Sequence, residues 1–125
     1  MGLPGTFHRP RTARQLCGQA GEDGALAYLR QQGLVLLERN FCCKGGEIDL
    51  IMQDGAAMLV FVEVRKRADA RHGGAAASVT AAKQRRLIVA AQIYLQRYTT
   101  PPACRFDVVA IDGEALTWLK NAIDA

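Results

Sequence analysis

At 125 residues, with 50% hydrophobic and 22% charged residues, the chain has the length and composition of one compact domain, not of a disordered or fibrous protein. Its longest apolar run, "AAMLVFV", stops at Glu63, well short of the roughly 18 to 20 residues of a membrane span. The formal net charge of +4 is unevenly spread: seven basic residues (Arg65, Lys66, Arg67, Arg71, Lys83, Arg85, Arg86) face the single acid Asp69 between positions 65 and 86, and Arg9, Arg11 and Arg14 form a second cluster. Such clusters suit a phosphate-rich partner such as nucleic acid; a solvated basic surface without a partner is the alternative.

The first stretch, "MGLPGTFHRPRTAR", lacks an apolar signal core, which predicts a cytoplasmic protein whose residues 1–15 form a flexible basic arm before a single domain over 16–125. Leu16 to Gln32 reads as a helix stopped by Gly33, and "LVLLER" as a short strand. Two aliphatic runs follow, Glu47 to Gln53 and Met58 to Lys66, and the Asp54-Gly55 step between them predicts a hairpin. "ADARHGGAAAS" reads as a loop, Ser78 as the cap of a long helix from about Val79 to Tyr98, and "CRFDVVAID" as another strand. The tail "EALTWLKNAIDA" suits either a short strand or a terminal helix. The sum is a mixed α/β domain with at least four strands and helices to cover the sheet.

Cys17, Cys42, Cys43 and Cys104 lack paired C-x-x-C spacing, and only His8 and His72 could complete a zinc ligand set, so zinc is not expected. Cys42 and Cys43 read as free thiols near a strand end. With one serine, Ser78, and both histidines in predicted loops, a Ser-His-Asp hydrolase is not indicated. Neither phosphate-binding nor dinucleotide-binding glycine motifs occur.

The acids of the hairpin are the informative residues. Side chains alternate along a strand, so Glu47 and Asp49 share one face, and Glu63 shares a face with Arg65. A turn centred on Ala56 sets Asp49 opposite Glu63 and Glu47 opposite Arg65. Facing carboxylates repel, and a hard divalent cation with few carboxylate ligands would compensate. The alternative is a wet face on which Arg65 and Lys66 neutralise the acids. Two helices bear on the choice. Glu22 lies on the same stripe as Ala25, Leu26 and Leu29, an unusual place for a carboxylate unless it has a partner on the sheet or sits at the stripe's wet end. Lys83 and Gln84 fall on or beside the apolar face of the second helix (Leu87, Ala91, Tyr94, Leu95, Tyr98), so Lys83 either reaches the sheet site to meet a phosphate or snorkels past a core edge. Arg85 points away, toward a nucleic-acid backbone.

Five ordered blocks, "GEDGALAYLRQQG", "GGEIDLI", "VFVEVRKR", "TAAKQRRLIVAAQIYL" and "RFDVVAI", are similar to the YraN-like bacterial proteins, which resemble Holliday-junction resolvases and restriction endonucleases. The resemblance covers about Gly21 to Ile111. It implies the restriction-endonuclease-like fold, a central mixed sheet flanked by helices, and a Mg²⁺- or Mn²⁺-dependent nuclease acting on DNA, including branched DNA. By position it implies Asp49, Glu63 and Glu22 as metal ligands, with the Val64 carbonyl; Arg65, at the position of the motif lysine, could still offset transition-state charge, and Lys83 could supply the missing amine from the second helix. Arg67, Arg71, Lys83, Arg85 and Arg86 would contact nucleic acid. A resolvase also implies a two-fold homodimer. One departure stands out: the family pattern has Lys where this chain has Arg65, and an arginine stays protonated and cannot act as a base. The alternatives are therefore a catalytically inactive nucleic-acid-binding module of the same fold, or a protein-interaction domain with an acidic partner; RNA stays open beside DNA.

Overall fold

The computed structural model describes residues 13–67 and 79–123, with side chains from Gly21 onward except that of Arg67. Arg9, Arg11, Arg71, His8, His72 and Ser78 lie outside these residues, as do the side chains of Arg14, Cys17 and Arg67. The elements are α1 (Ala13–Gln31), β1 (Val35–Cys43), β2 (Gly46–Asp54), β3 (Met58–Arg67), α2 (Ala81–Leu95), β4 (Cys104–Asp112) and β5 (Ala115–Leu119). Helix α1 thus begins three residues before the expected Leu16. Its end is as the sequence suggests: Gly33 takes φ +98°, Leu34 N–H donates to the Leu29 carbonyl at 3.1 Å, and buried Leu34 packs back on the helix.

The five strands form one sheet in the order β1-β2-β3-β4-β5. β3 and β4 run parallel, joined through α2, and the other neighbours are antiparallel. The sheet separates two cores. On one face Ala25, Leu26 and Leu29 of α1 meet Leu50, Met52, Val60, Val62 and Val109. On the other, Leu87, Ala90, Ala91 and Tyr94 of α2 meet Ile48, Ile51, Phe61, Phe106 and Val108. Continuous apolar runs in β2, β3 and β4 follow from burial on both faces.

Two local expectations are corrected and one alternative is decided. The cap of α2 is Thr80, whose hydroxyl accepts from Lys83 N–H at 3.2 Å, two residues beyond Ser78. The helix ends at Leu95, because Arg97 and Tyr98 N–H groups bond three residues back, to Tyr94 and Leu95, and tighten the last turn. Of the two readings of the tail, the short strand is the one that forms, as β5. It is fixed by Asp107, a fully buried carboxylate that accepts from Trp118 Nε1 (2.9 Å), Asn121 N–H (2.8 Å) and Arg105 Nε (3.0 Å). No described helix is long and apolar enough to cross a membrane.

Candidate active site in a gap of the sheet

The β2–β3 ladder has the register expected from a turn at Ala56. It runs from Asp54 opposite Met58 to Leu50 opposite Val62 and stops there, while β3 continues beside β4 as far as Arg67 opposite Asp112. β2 therefore leaves β3 one residue before Leu50, at Asp49. The departure is built into β1 as well. Arg39 pairs with Leu50 and Phe41 with Ile48, so Asn40 stands across from Asp49, and Asn40 has the left-handed φ of +55°. Strand alternation breaks here. Leu50 and Met52 pack on the α1 face, yet Ile48 and Ile51 both pack on the α2 face. Likewise Arg39 meets Glu22 and Asp23 of α1, whereas Phe41 meets Tyr94 of α2.

Freed from the ladder, Asp49 turns its carboxylate to β3, where Oδ2 accepts the Val64 N–H at 2.8 Å. Glu63 lies opposite and is in hydrogen-bond contact with Asp49. Burial, then the charge of Asp49, pushes the Glu63 carboxyl up to about 8, against the opposing pull of Arg65 and Lys83. Burial also raises Asp49, against the stabilising Val64 N–H. Both carboxyls are thus shifted toward the protonated form by burial. Glu22 is raised by burial and by the nearby Asp49 charge, and is held by Arg39 Nε at 3.5 Å. The Asn40 amide is assigned with its nitrogen toward Glu22, since its oxygen would face only acceptors there; it then donates to Oε1 and Oε2 at 3.1 and 3.3 Å.

A cleft of about 280 Å³ opens on Glu63, lined by Glu47, Glu63, Lys83 and Arg86, with Asp49 set behind Glu63 and outside the lining. Most of the expected residues meet here: Asp49, Glu63 and Arg65 from the hairpin, Lys83 from α2, and Glu22 from beneath. Arg65 pairs with Glu63 at 3.6 Å. Glu47 does not face Arg65 as the register alone suggests; the break at Asp49 carries it to Arg86, at 3.1 Å. Arg86 accordingly lines the cleft, while Arg85 is exposed. Gln84 bonds the Val79 carbonyl and serves the helix start. Lys66 runs on the other face, past Gly21 of α1. Arg39 and Asn40 escaped the sequence reading. Asn40 falls just past the expected strand "LVLLER", where an Arg-Asn step carries no signal of a left-handed residue within a longer strand, and only its place across from Asp49 gives it meaning.

Cys42 and Cys43 are free thiols at the end of β1, the first exposed and the second half-buried. Among the described residues no three of His, Cys, Asp and Glu converge as a closed metal-binding group. What the gap offers is two desolvated carboxyls in contact, one of them, Glu63, open to a cleft lined also by Glu47, Lys83 and Arg86, with Glu22 as a third carboxyl near Asp49. Such an arrangement can bind a cation at the acids and an anion at Lys83 and Arg86.

The family described as "Uncharacterised protein family UPF0102" matches residues 21–111. Across all 125 residues, and the whole of each relative, the chain is 71% identical to a UPF0102 protein of Herminiimonas arsenicoxydans and 72% identical to one of Janthinobacterium sp. (strain Marseille). It is 56% identical over 120 residues to a UPF0102 protein of Ralstonia pickettii (strain 12J), covering 93% of this chain and 96% of the relative. The matched span takes in Glu22, the sheet gap and α2 together, and the chain belongs to this UPF0102, or YraN-like, family.

Proposed function

We propose that this protein is a divalent-metal-dependent endonuclease of the restriction-endonuclease-like fold that hydrolyses DNA phosphodiester bonds, with branched, Holliday-junction-like DNA as the first substrate to test. The observation that carries the reading is the contact between Asp49 and Glu63, two carboxyls raised by burial, with Glu63 facing a cleft that Glu47, Lys83 and Arg86 also line. Two adjacent carboxyls taken out of water are a costly arrangement for a merely structural hairpin, and perturbed groups of this kind cluster at functional sites.

The donors suit Mg²⁺ or Mn²⁺: hard oxygen ligands, few in number, facing open space that waters and a phosphate can fill. Asp49 and Glu63 would hold the ion, with the Val64 carbonyl as a backbone ligand and Glu22 as a more remote carboxylate. Bound there, a divalent ion supplies a water of lowered pKa and offsets charge on a phosphoryl oxygen. Asp49 is kept in place by the Val64 N–H, Lys83 and Arg86 stand where a phosphate entering the cleft would be met, and Arg65 offsets charge beside Glu63. Arg65 cannot remove a proton, so Lys83 is the amine nearest the acids on the cleft wall. Arg67, Arg71 and Arg85 would extend the contact along the nucleic-acid backbone, and a homodimer would place two sites for paired cuts.

A second reading, a nucleic-acid-binding module without catalysis, is favoured by one observation. Arg65 stands where the family resemblance expects lysine, and it is tied to Glu63. Cleavage of labelled four-way-junction, flap, single-stranded and linear duplex DNA with Mn²⁺ separates the two, with Asp49→Asn protein beside the wild type. Cleavage lost in the variant supports the nuclease. Equal inactivity of two folded proteins that bind DNA in a salt-sensitive way supports the binding module.

A further inference from the structure

Asn40 is a non-glycine residue in the left-handed region inside a strand, at φ +55°, where such a conformation costs about 1 kcal/mol or more unless its surroundings require it. It stands across from Asp49, the residue at which β2 leaves β3. On one side of it Arg39 reaches α1, and on the other Phe41 packs against α2. The break in alternation that frees Asp49 therefore passes through Asn40. The same residue reaches Glu22 with its amide, at 3.1 and 3.3 Å. Backbone and side chain thus act on two different carboxylates of the site.

We infer that Asn40 is a positioning residue of this site: its left-handed backbone turns the β1–β2 hairpin so that Asp49 faces Val64, and its amide holds Glu22 against Arg39 beside Asp49. It touches neither the cleft nor a phosphate, and it acts through the acids. The inference rests on the metal-site reading above only where it concerns Glu22 and metal affinity; the turn at Asp49 is independent of any metal. Asparagine suits the position because it is, after glycine, among the residues that tolerate this φ, and because its NH₂ group adds a donor without adding charge. An aspartate would tolerate the backbone equally well but would bring a fourth carboxylate to the acids already there.

Two substitutions separate the parts. Asn40→Gly keeps the conformational freedom and removes the amide; Asn40→Ala removes both. Mn²⁺ binding to the DNA-free full chain, followed by calorimetry, should weaken by about 10-fold to 100-fold in Asn40→Gly, the usual cost of losing a partner of a metal-site ligand. In a Glu22→Gln background the same change should cost little, because the amide acts through Glu22. Amide exchange of Val64 in metal-free protein reads the backbone part: protection should survive in Asn40→Gly and fall at least about tenfold in Asn40→Ala, since this amide is held by the turned Asp49. Unchanged Mn²⁺ affinity in Asn40→Gly, or equal losses with and without Glu22, overturns the role of the amide. Full Val64 protection in a folded Asn40→Ala protein overturns the role of the backbone. Should wild-type protein bind no Mn²⁺, the metal reading fails by itself, and the Val64 exchange still decides whether Asn40 sets the turn.

Discussion

Val64 gives its backbone N–H to the carboxylate of Asp49 at 2.8 Å, so a side chain does for β3 what a ladder carbonyl does elsewhere in the sheet. Removing the acceptor leaves a half-buried donor unsatisfied, a cost of about 1–3 kcal/mol. Asp49→Ala should therefore be less stable than Asp49→Asn, which keeps an oxygen in reach, by an amount of that order in urea titrations at pH 7. Equal midpoints for the two variants would mean that water replaces the bond freely.

Stability of the metal-free protein should depend on pH in a direction opposite to that of an ion-paired acid. Glu63 titrates near 4.5 when unperturbed and about 8 in the fold, raised first by burial and then by Asp49. A raised carboxyl favours the folded state when protonated. Its contribution is complete below about 4.5 and is lost as pH climbs through about 8. Melting temperature should thus fall between pH 5 and pH 9, and Glu63→Gln should flatten that slope. If Mn²⁺ binds at these acids as proposed, it competes with the proton, so its stabilising effect should grow over the same window. Melting curves with and without the ion check both, and a Mn²⁺ effect as large at pH 5 as at pH 8 would count against the site.

Gly46 begins β2 directly against α2. A Cβ on it would lie 2.2 Å from the Arg86 carbonyl oxygen and 3.0 Å from the Ala90 nitrogen, both backbone atoms that cannot swing aside. Gly46→Ala should cost about 1–3 kcal/mol through overpacking. DNA affinity should drop beyond what the unfolded fraction explains, because the helix that must shift carries Lys83 and Arg86. Denaturation and DNA titration on the same samples compare the two effects.

Lys83 and Arg86 are exposed, and the Arg86–Glu47 ion pair is more than half accessible on both sides, so neither should matter much to folding. Alanine at either position should change stability by no more than about 0.5 kcal/mol. If each meets one phosphate, each change should lower the slope of log affinity against log salt by about 1. Binding measured from 50 to 200 mM salt tests this; an unaltered slope places the phosphates elsewhere.

The hairpin register, the meeting of Asp49 with Glu63, and the approach of Lys83 were legible in the sequence because each follows from a period: two along a strand, and 3.6 along a helix. Glu22 was legible for the same reason, as an acid on an apolar stripe. The partner of Glu47 was not. The register at Ala56 points it to Arg65, but the alternation that carries a register forward is interrupted at Asn40, and nothing in "ERNF" marks the interruption. The cap of α2 was missed by two residues because serine is by preference the better cap, whereas in the structure Thr80 is the residue whose hydroxyl accepts the Lys83 N–H. Strand β5 depends on Asp107, whose partners Trp118 and Asn121 are distant in sequence and become neighbours only in the folded sheet.

The gap between β2 and β3 has a mechanical side. Beyond Leu50 the end of β2 behaves as a beam clamped at the Asp54–Met58 turn, with no β3 ladder partner to brace it along the side that carries Asp49. Its far support is Gly46 resting on the backbone of α2. The spacing between Asp49 and Glu63 is then governed by how firmly α2 is seated as well as by the strands that bear them. A shift of that helix, whose outer side carries the solvent-facing Arg85, Val89 and Ile93, would reach the acids through Gly46, against the restraint of the β1 ladder that runs to the same residue.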